Sequence, residues 1–233
     1  AFGVSADALE EGKEYWQTGK DAWTGYSAVS FVILYNTNVV TYRELPTGWD
    51  SLLEPRWKGR VAVPDPLKSD MAASVLTEAA KNSEKEEFLD LLAENMQYQM
   101  PETFKEVEQG ISDGRYSIGV TSEEAAKAML AAGQDVDYID PEEGECFFED
   151  GTAIRKRTPN LDASEAFVTY TTCDDTKWLL RTQLLRQPAE DVAAENDRSD
   201  EDLKQRYSRQ QEVLNIWKLI MEEKSGSAHE QEQ

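Results

Sequence analysis

Hydrophobic and polar positions along this chain fall into two periods. Val29 to Tyr35 (VSFVILY) is a β-branched and aromatic run, the pattern of a buried strand. Shorter runs at Arg60 to Val63, Tyr116 to Val120, Val136 to Ile139 and Thr152 to Arg155 read as further strands, and Pro64 and Pro66 end the first of them. Helical spacing lies between them. The alanine-rich stretch Met71 to Lys81 follows Ser69 or Asp70, either of which suits an N-cap. Ser83 with Glu86 makes a capping box ahead of Phe88, Leu91 and Leu92, which share a helix face. Glu102 to Gln109 reads as a helix stopped by Gly110. Thr121-Ser122-Glu123-Glu124 is a second capping box, opening a helix to Ala132 that Gly133 closes. Trp49 to Leu53 is a short amphipathic piece. Beyond it all, Asp162 to Thr171, Thr176 to Leu185 and Ser199 to Met221 are helical, the last opening at Ser199 with Asp202, and Glu222 to Gln233 is a polar, frayed tail. Strands alternating with helices predict an α/β fold with a mostly parallel sheet.

Two strand-to-helix junctions carry candidate chemistry: Val63 to Met71, with Ser69 and Asp70, and Val120 to Ala125, with Thr121, Ser122 and Glu123. In such sheets ligands gather at the carboxyl ends of strands, where helix N-termini present unpaired N–H groups. Small hydroxyl residues there suit an anion or polar ligand. The same residues also serve as ordinary helix caps, and the sequence alone leaves both readings open.

Composition narrows the function. The 233 residues include 46 acidic and 24 basic side chains, a formal charge of −22. That balance excludes most nucleic-acid roles, which need clustered Lys and Arg, and disfavours an anionic membrane surface. The longest apolar run, Ala28 to Tyr35, is interrupted by Ser30 and falls far short of the ~18 residues of a membrane span. Ala1-Phe2-Gly3-Val4 lacks the features of a secretion signal, which implies either a cytoplasmic chain or one whose signal has been removed. Cys146 and Cys173 are either two thiols or a single bridge. Neither has a histidine to activate it, since the only histidine is His229 in the tail. No Ser/His/Asp, Cys/His, metal or phosphate-loop motif is present, so no catalytic residue, metal ligand or cofactor is assigned and the chain is not expected to be an enzyme.

Several runs, taken in order, carry a family likeness. They are Trp23-Thr24-Gly25, Tyr35-Asn36-Thr37-Asn38, Leu45-Pro46-Thr47-Gly48-Trp49-Asp50-Ser51-Leu52-Leu53 and Pro55-Arg56-Trp57-Lys58-Gly59-Arg60 with Val61-Ala62-Val63-Pro64-Asp65-Pro66. Gly119-Val120-Thr121-Ser122-Glu123-Glu124-Ala125-Ala126, Pro141-Glu142-Glu143-Gly144 and Asp150-Gly151-Thr152-Ala153-Ile154 complete the set. Together, from about residue 14 to 220, the chain resembles the extracellular solute-binding proteins of ABC transporters, in the branch that includes ferric-iron, phosphonate, thiamine and sugar-phosphate binders. The resemblance implies a periplasmic-binding-protein type II-like fold of two α/β lobes that close on ligand like a hinged trap. It implies that 57–155 form the second lobe, with 1–56 and 156–233 a partial first lobe and hinge. Family members carry further residues before the equivalent of Tyr15, so the first lobe is expected to be incomplete. Exposed sheet edges and apolar surface would then favour self-association.

The resemblance also implies a periplasmic or extracellular location, a small-molecule ligand and an ABC permease as partner. The iron binders of the family rely on adjacent tyrosines, and this chain has no Tyr-Tyr pair. A phosphonate, sugar phosphate or thiamine-like ligand is therefore expected ahead of Fe(III). Glu143, or its neighbour Glu142, is a candidate receiver of an ammonium or sugar hydroxyl, and Tyr26 with Trp23 a candidate wall of the cleft. The competing expectation is a truncated relative that serves as an interaction or sensor module rather than in transport.

Overall fold

The computed structural model describes residues 24–155, 157–189 and 200–231. Trp23 and Ser199 therefore lie outside the described residues. The chain divides into two units, Ala1–Ser30 with Phe148–Ser208, and Phe31–Phe147 with Arg209–Gln233.

The second unit is built on the most apolar run of the sequence. Strand β1 spans Thr24–Asn36, and every residue from Phe31 onward is buried. β2 is Val61–Ala62, β3 Ile118–Ser122 and β4 Val136–Ile139. The strand order is β2-β3-β1-β4. Only β2 and β3 run parallel, in the register Val61↔Ile118 and Ala62↔Gly119. β1 lies antiparallel to both β3, with Phe31↔Ser122, and β4, with Ile33↔Ile139. The expected mostly parallel sheet is thus a mixed one. The β–α–β alternation is real, but a strand from earlier in the chain inserts between β3 and β4 and reverses the pairing. Local pattern reports a crossover; it does not report which strand enters the gap.

Helices α1 (Asp70–Asn82), α2 (Phe88–Asn95), α3 (Phe104–Ser112) and α4 (Glu123–Ala131) belong to this unit. Val32 and Leu34 of β1, Ala62, Val107 and Ile111 of α3, and Ala126, Met129 and Val136 form one core cluster, with Tyr116 and Tyr138 packed against it. Close backbone approach shapes it: a Cβ on Gly119 would sit 2.5 Å from the carbonyl oxygen of Ala62. Trp217, from the long helix α7 (Asp200–Gln231), is fully buried.

Three expected boundaries differ. The Ser83–Glu86 box does not form: Ser83 is the C-cap of α1, and its hydroxyl donates to Asp50 and accepts from the Lys85 N–H at 2.9 Å, leaving α2 to begin at Phe88 without a side-chain cap. Gly110 does not stop α3 but is buried inside it, where an added Cβ would lie 2.4 Å from the Tyr116 ring; the small residue serves packing there, not termination. The polar tail is helical as far as Gln231. Gly133 does close α4, at a φ of +74° that L side chains rarely adopt.

In the first unit, β1 pairs antiparallel with β6 (Gln187–Pro188) through Ser27↔Pro188 and Ala28↔Gln187. β5 spans Cys146–Thr152, ahead of the strand expected at Thr152 to Arg155. Helices α5 (Leu161–Thr172) and α6 (Asp174–Leu179) follow, and α6 runs into a π-helical turn at Leu180–Leu184 that ends on Leu185 in the left-handed region. Phe167, Tyr170 and Trp178 on these helices are exposed.

Candidate functional site

The two junctions singled out in the sequence follow neighbouring parallel strands. β2 leads into α1 and β3 into α4, so both helix N-termini lie beyond the carboxyl ends of adjacent strands of one sheet. Ser69 caps α1, its Oγ accepting from the Ala72 N–H at 3.2 Å. Ser122 caps α4 in the same way, accepting from the Ala125 N–H at 3.2 Å. In each case the oxygen is used as an acceptor while the hydroxyl proton remains to be donated. Asp70 is exposed in the first turn of α1.

The other residues of the α4 junction are engaged with the protein itself. Thr121 is fully buried, and its Oγ1 donates to Oε1 of Glu108 at 2.7 Å. The hydroxyl expected beside Ser122 thus faces inward, because successive strand residues point to opposite faces of the sheet. The N-cap falls on Ser122 alone, so Thr121 and Glu124 do not form the expected box. Glu123 forms an ion pair with Lys127 at 2.6 Å and accepts from the Tyr138 hydroxyl at 3.4 Å.

Glu143 sits elsewhere in the unit. Its carboxylate accepts the Trp49 N–H at 2.9 Å and the Asp50 N–H at 3.0 Å, closing the N-terminus of the 3₁₀ helix Trp49–Leu53. The Trp49 indole N–H donates to the Gly144 carbonyl at 2.9 Å beside it. Two oxygens directed at backbone N–H groups leave this carboxylate acting as a cap across 94 residues of sequence.

Glu108 was not signalled by any motif. It lies in α3, and burial raises its pKa above the ordinary carboxylate value, against the lowering effects of the Thr121 hydrogen bond and the Lys105 charge. Helical spacing carries a faint signal for it, since Glu108 stands three residues before the core residue Ile111.

In the first unit, Tyr26 is half-buried on β1. Burial, and then the Asp150 carboxylate, raise its pKa, while Arg186 opposes them. Asp150 accepts from the Ser27 hydroxyl at 2.9 Å and forms a close ion pair with Arg186. The Gln187 amide donates to the Ser30 hydroxyl at 2.9 Å. Tyr26 is therefore one edge of a polar cluster whose other members, Ser27, Asp150 and Arg186, the sequence pattern did not single out.

Both cysteines are free, Cys146 buried and Cys173 half-buried, which removes the bridged alternative. Among the described residues no group of three His, Cys, Asp or Glu side chains is placed to hold a metal ion, and no helix is long and apolar enough to cross a membrane.

The sequence matches the model of the bacterial extracellular solute-binding protein family over residues 4–211. No curated protein matches it. Solved structures do, at the level of fold. A ferric iron-binding protein A from Mannheimia haemolytica, in an open conformation, is 17% identical with a TM-score of 0.72; the match covers 94% of this chain and 76% of that one. A ferric binding protein from Campylobacter jejuni is 15% identical with a TM-score of 0.74, covering 94% and 77%. A two-component system protein that mediates signal transduction is 16% identical with a TM-score of 0.68, covering 83% of this chain. This chain spans only 64% of that protein's length.

Proposed function

The chain belongs to the bacterial extracellular solute-binding protein family, and from that premise we propose that it captures a small polar or anionic solute for delivery to an ABC permease. The observation that supports an anionic headgroup is the pair of serine-capped helix N-termini, α1 and α4, beyond the adjacent parallel strands β2 and β3. Free N–H groups and the positive end of each helix dipole favour negative charge there. Ser69 and Ser122 supply hydroxyl protons in addition. Asp70 stands exposed in the first turn of α1, so a ligand carrying an ammonium as well as an anionic head suits that junction better than a bare anion. Within the first unit, Tyr26 is a separate candidate for contact with a ligand.

The Mannheimia and Campylobacter neighbours, both ferric-binding proteins, support Fe(III) as a competing solute. The chain has no Tyr-Tyr pair of the kind the family's iron binders rely on, which weighs against it. Thermal denaturation with 2-aminoethylphosphonate, glycerol 3-phosphate, thiamine and ferric citrate separates these. A ligand at 100 times its Kd stabilises the folded state by roughly 2.7 kcal/mol. A shift with a phosphonate or phosphate that Ser122→Leu abolishes is expected. A shift with ferric citrate alone would overturn the anion reading. The neighbour involved in two-component signalling supports a second reading, a sensor or interaction module. Self-association together with no shift from any of these compounds would favour it.

A further inference from the structure

A notch between α3 and α4 offers a ligand site separate from the two capped junctions. Its volume is about 300 Å³, and Lys105, Glu108, Gln109, Ser112, Met129 and Gln134 line it. That volume is at the small end of the range for organic ligands. All six residues belong to the Phe31–Phe147 part of one unit.

The notch is polar but specifically built. Oε1 of Glu108 is held from the inside by the buried Thr121 hydroxyl at 2.7 Å. Among the described residues, nothing donates a hydrogen bond to its Oε2 and no lysine or arginine forms an ion pair with it. Lys105 acts on Glu108 electrostatically, and Glu124 opposes it. The carboxylate is thus fixed in direction and partly stripped of water, with one oxygen left to accept. Met129, a buried member of the core cluster, adds an apolar lining. The Ser112 hydroxyl donates to Oε1 of Gln134 at 2.8 Å, which fixes that amide and turns its NH₂ group away from the bond. An oriented carboxylate acceptor beside a thioether surface matches an ammonium on a short aliphatic stem. The charge of −22 raises the local concentration of cations around the chain and lowers that of anions.

We propose that this notch binds a small organic cation, a primary amine on a short aliphatic stem, with Glu108 as its counter-ion. The proposal is independent of the transport reading, since neither α1 nor the Ser122 cap takes part.

The test is a titration of the isotopically labelled full chain with 1,5-diaminopentane at physiological salt, followed by amide chemical shifts, with 1-pentanol and glutarate as neutral and anionic controls. Saturable shifts centred on Glu108, Gln109, Met129 and Gln134 are expected with the diamine, and none with the controls. Glu108→Gln should weaken binding at least tenfold while leaving the spectrum otherwise that of the parent. Ser112→Trp, an exposed position on the rim, should block the notch without touching the carboxylate and serves if Glu108→Gln fails to fold. Shifts scattered over the acidic surface, equal affinity in Glu108→Gln or Ser112→Trp, or tighter binding of glutarate at Lys105 would each overturn the proposal.

Discussion

The role of Glu143 can be decided by a double-mutant cycle with Gly48. The carboxylate accepts two backbone N–H groups, from Trp49 at 2.9 Å and Asp50 at 3.0 Å. A hydrogen bond to a charged group contributes about 1.5–3 kcal/mol when shielded, and a helix cap about 1 kcal/mol. Glu143 is half-buried, so Glu143→Ala is expected to cost about 2–3 kcal/mol in all. Gly48 approaches the same carboxylate from behind: a Cβ there would fall 1.6 Å from Oε2 of Glu143. Its φ of −171° is extended backbone open to any residue, so Gly48→Ala introduces no backbone strain. The substitution must therefore displace the carboxylate and lose the cap, at a similar cost. In the Glu143→Ala background the displaced group is already gone, and Gly48→Ala should cost less than about 0.5 kcal/mol. Urea unfolding followed by tryptophan fluorescence measures all four species, because Trp49 is fully buried. Additive effects, or a Glu143→Ala loss below about 0.5 kcal/mol, would refute the capping role and return Glu143 to the pool of free ligand receivers.

Ser122→Ala should lower stability by about 1 kcal/mol through loss of the α4 cap, whereas Thr121→Val should cost about 1–3 kcal/mol by leaving the half-buried Glu108 carboxylate short of a donor; both are read from urea midpoints. Glu108 has a folded pKa above its unfolded one, so its ionised form disfavours the native state at neutral pH and the penalty fades as pH falls through the folded pKa. The stability advantage of Glu108→Gln over the parent should accordingly be largest near pH 7 and shrink toward pH 4, and an advantage that grows on acidification would contradict the burial argument. Burial pushes the Cys146 thiol well up, so Ellman's reagent should label Cys173 in the folded chain and reach Cys146 only after denaturation. Trp217→Ala should cost about 3–5 kcal/mol in the same unfolding assay, as expected for emptying a fully buried indole site.

Features of this protein that depend on neighbours in sequence were legible in it. The cap at Ser69, the closing glycine at position 133, and the β1 core from Val29 to Tyr35 each involve residues within a few positions of one another, and the pattern of side chains reported them directly. The capping box expected over Thr121 to Glu124 misses by one residue, because the cap of α4 is Ser122. The family likeness rested on the order of such short runs and agrees with the match over residues 4–211.

Tertiary structure decided the rest. The insertion of β1 between β3 and β4 is settled by pairing across roughly 80 to 110 residues of sequence, for which no local period exists. The inward turn of Thr121 toward Glu108 depends on which face of β3 the sheet buries. Ser83 had the right spacing for a capping box, yet Asp50 claimed its hydroxyl from 33 residues away. Glu143 reads in the sequence as a candidate receiver of an ammonium or sugar hydroxyl, but folding brings the Trp49 and Asp50 N–H groups to it. A polar side chain carries its chemistry in the sequence, but which partner satisfies it is fixed only when the chain closes, because a partly buried donor or acceptor takes whatever complementary group packing delivers.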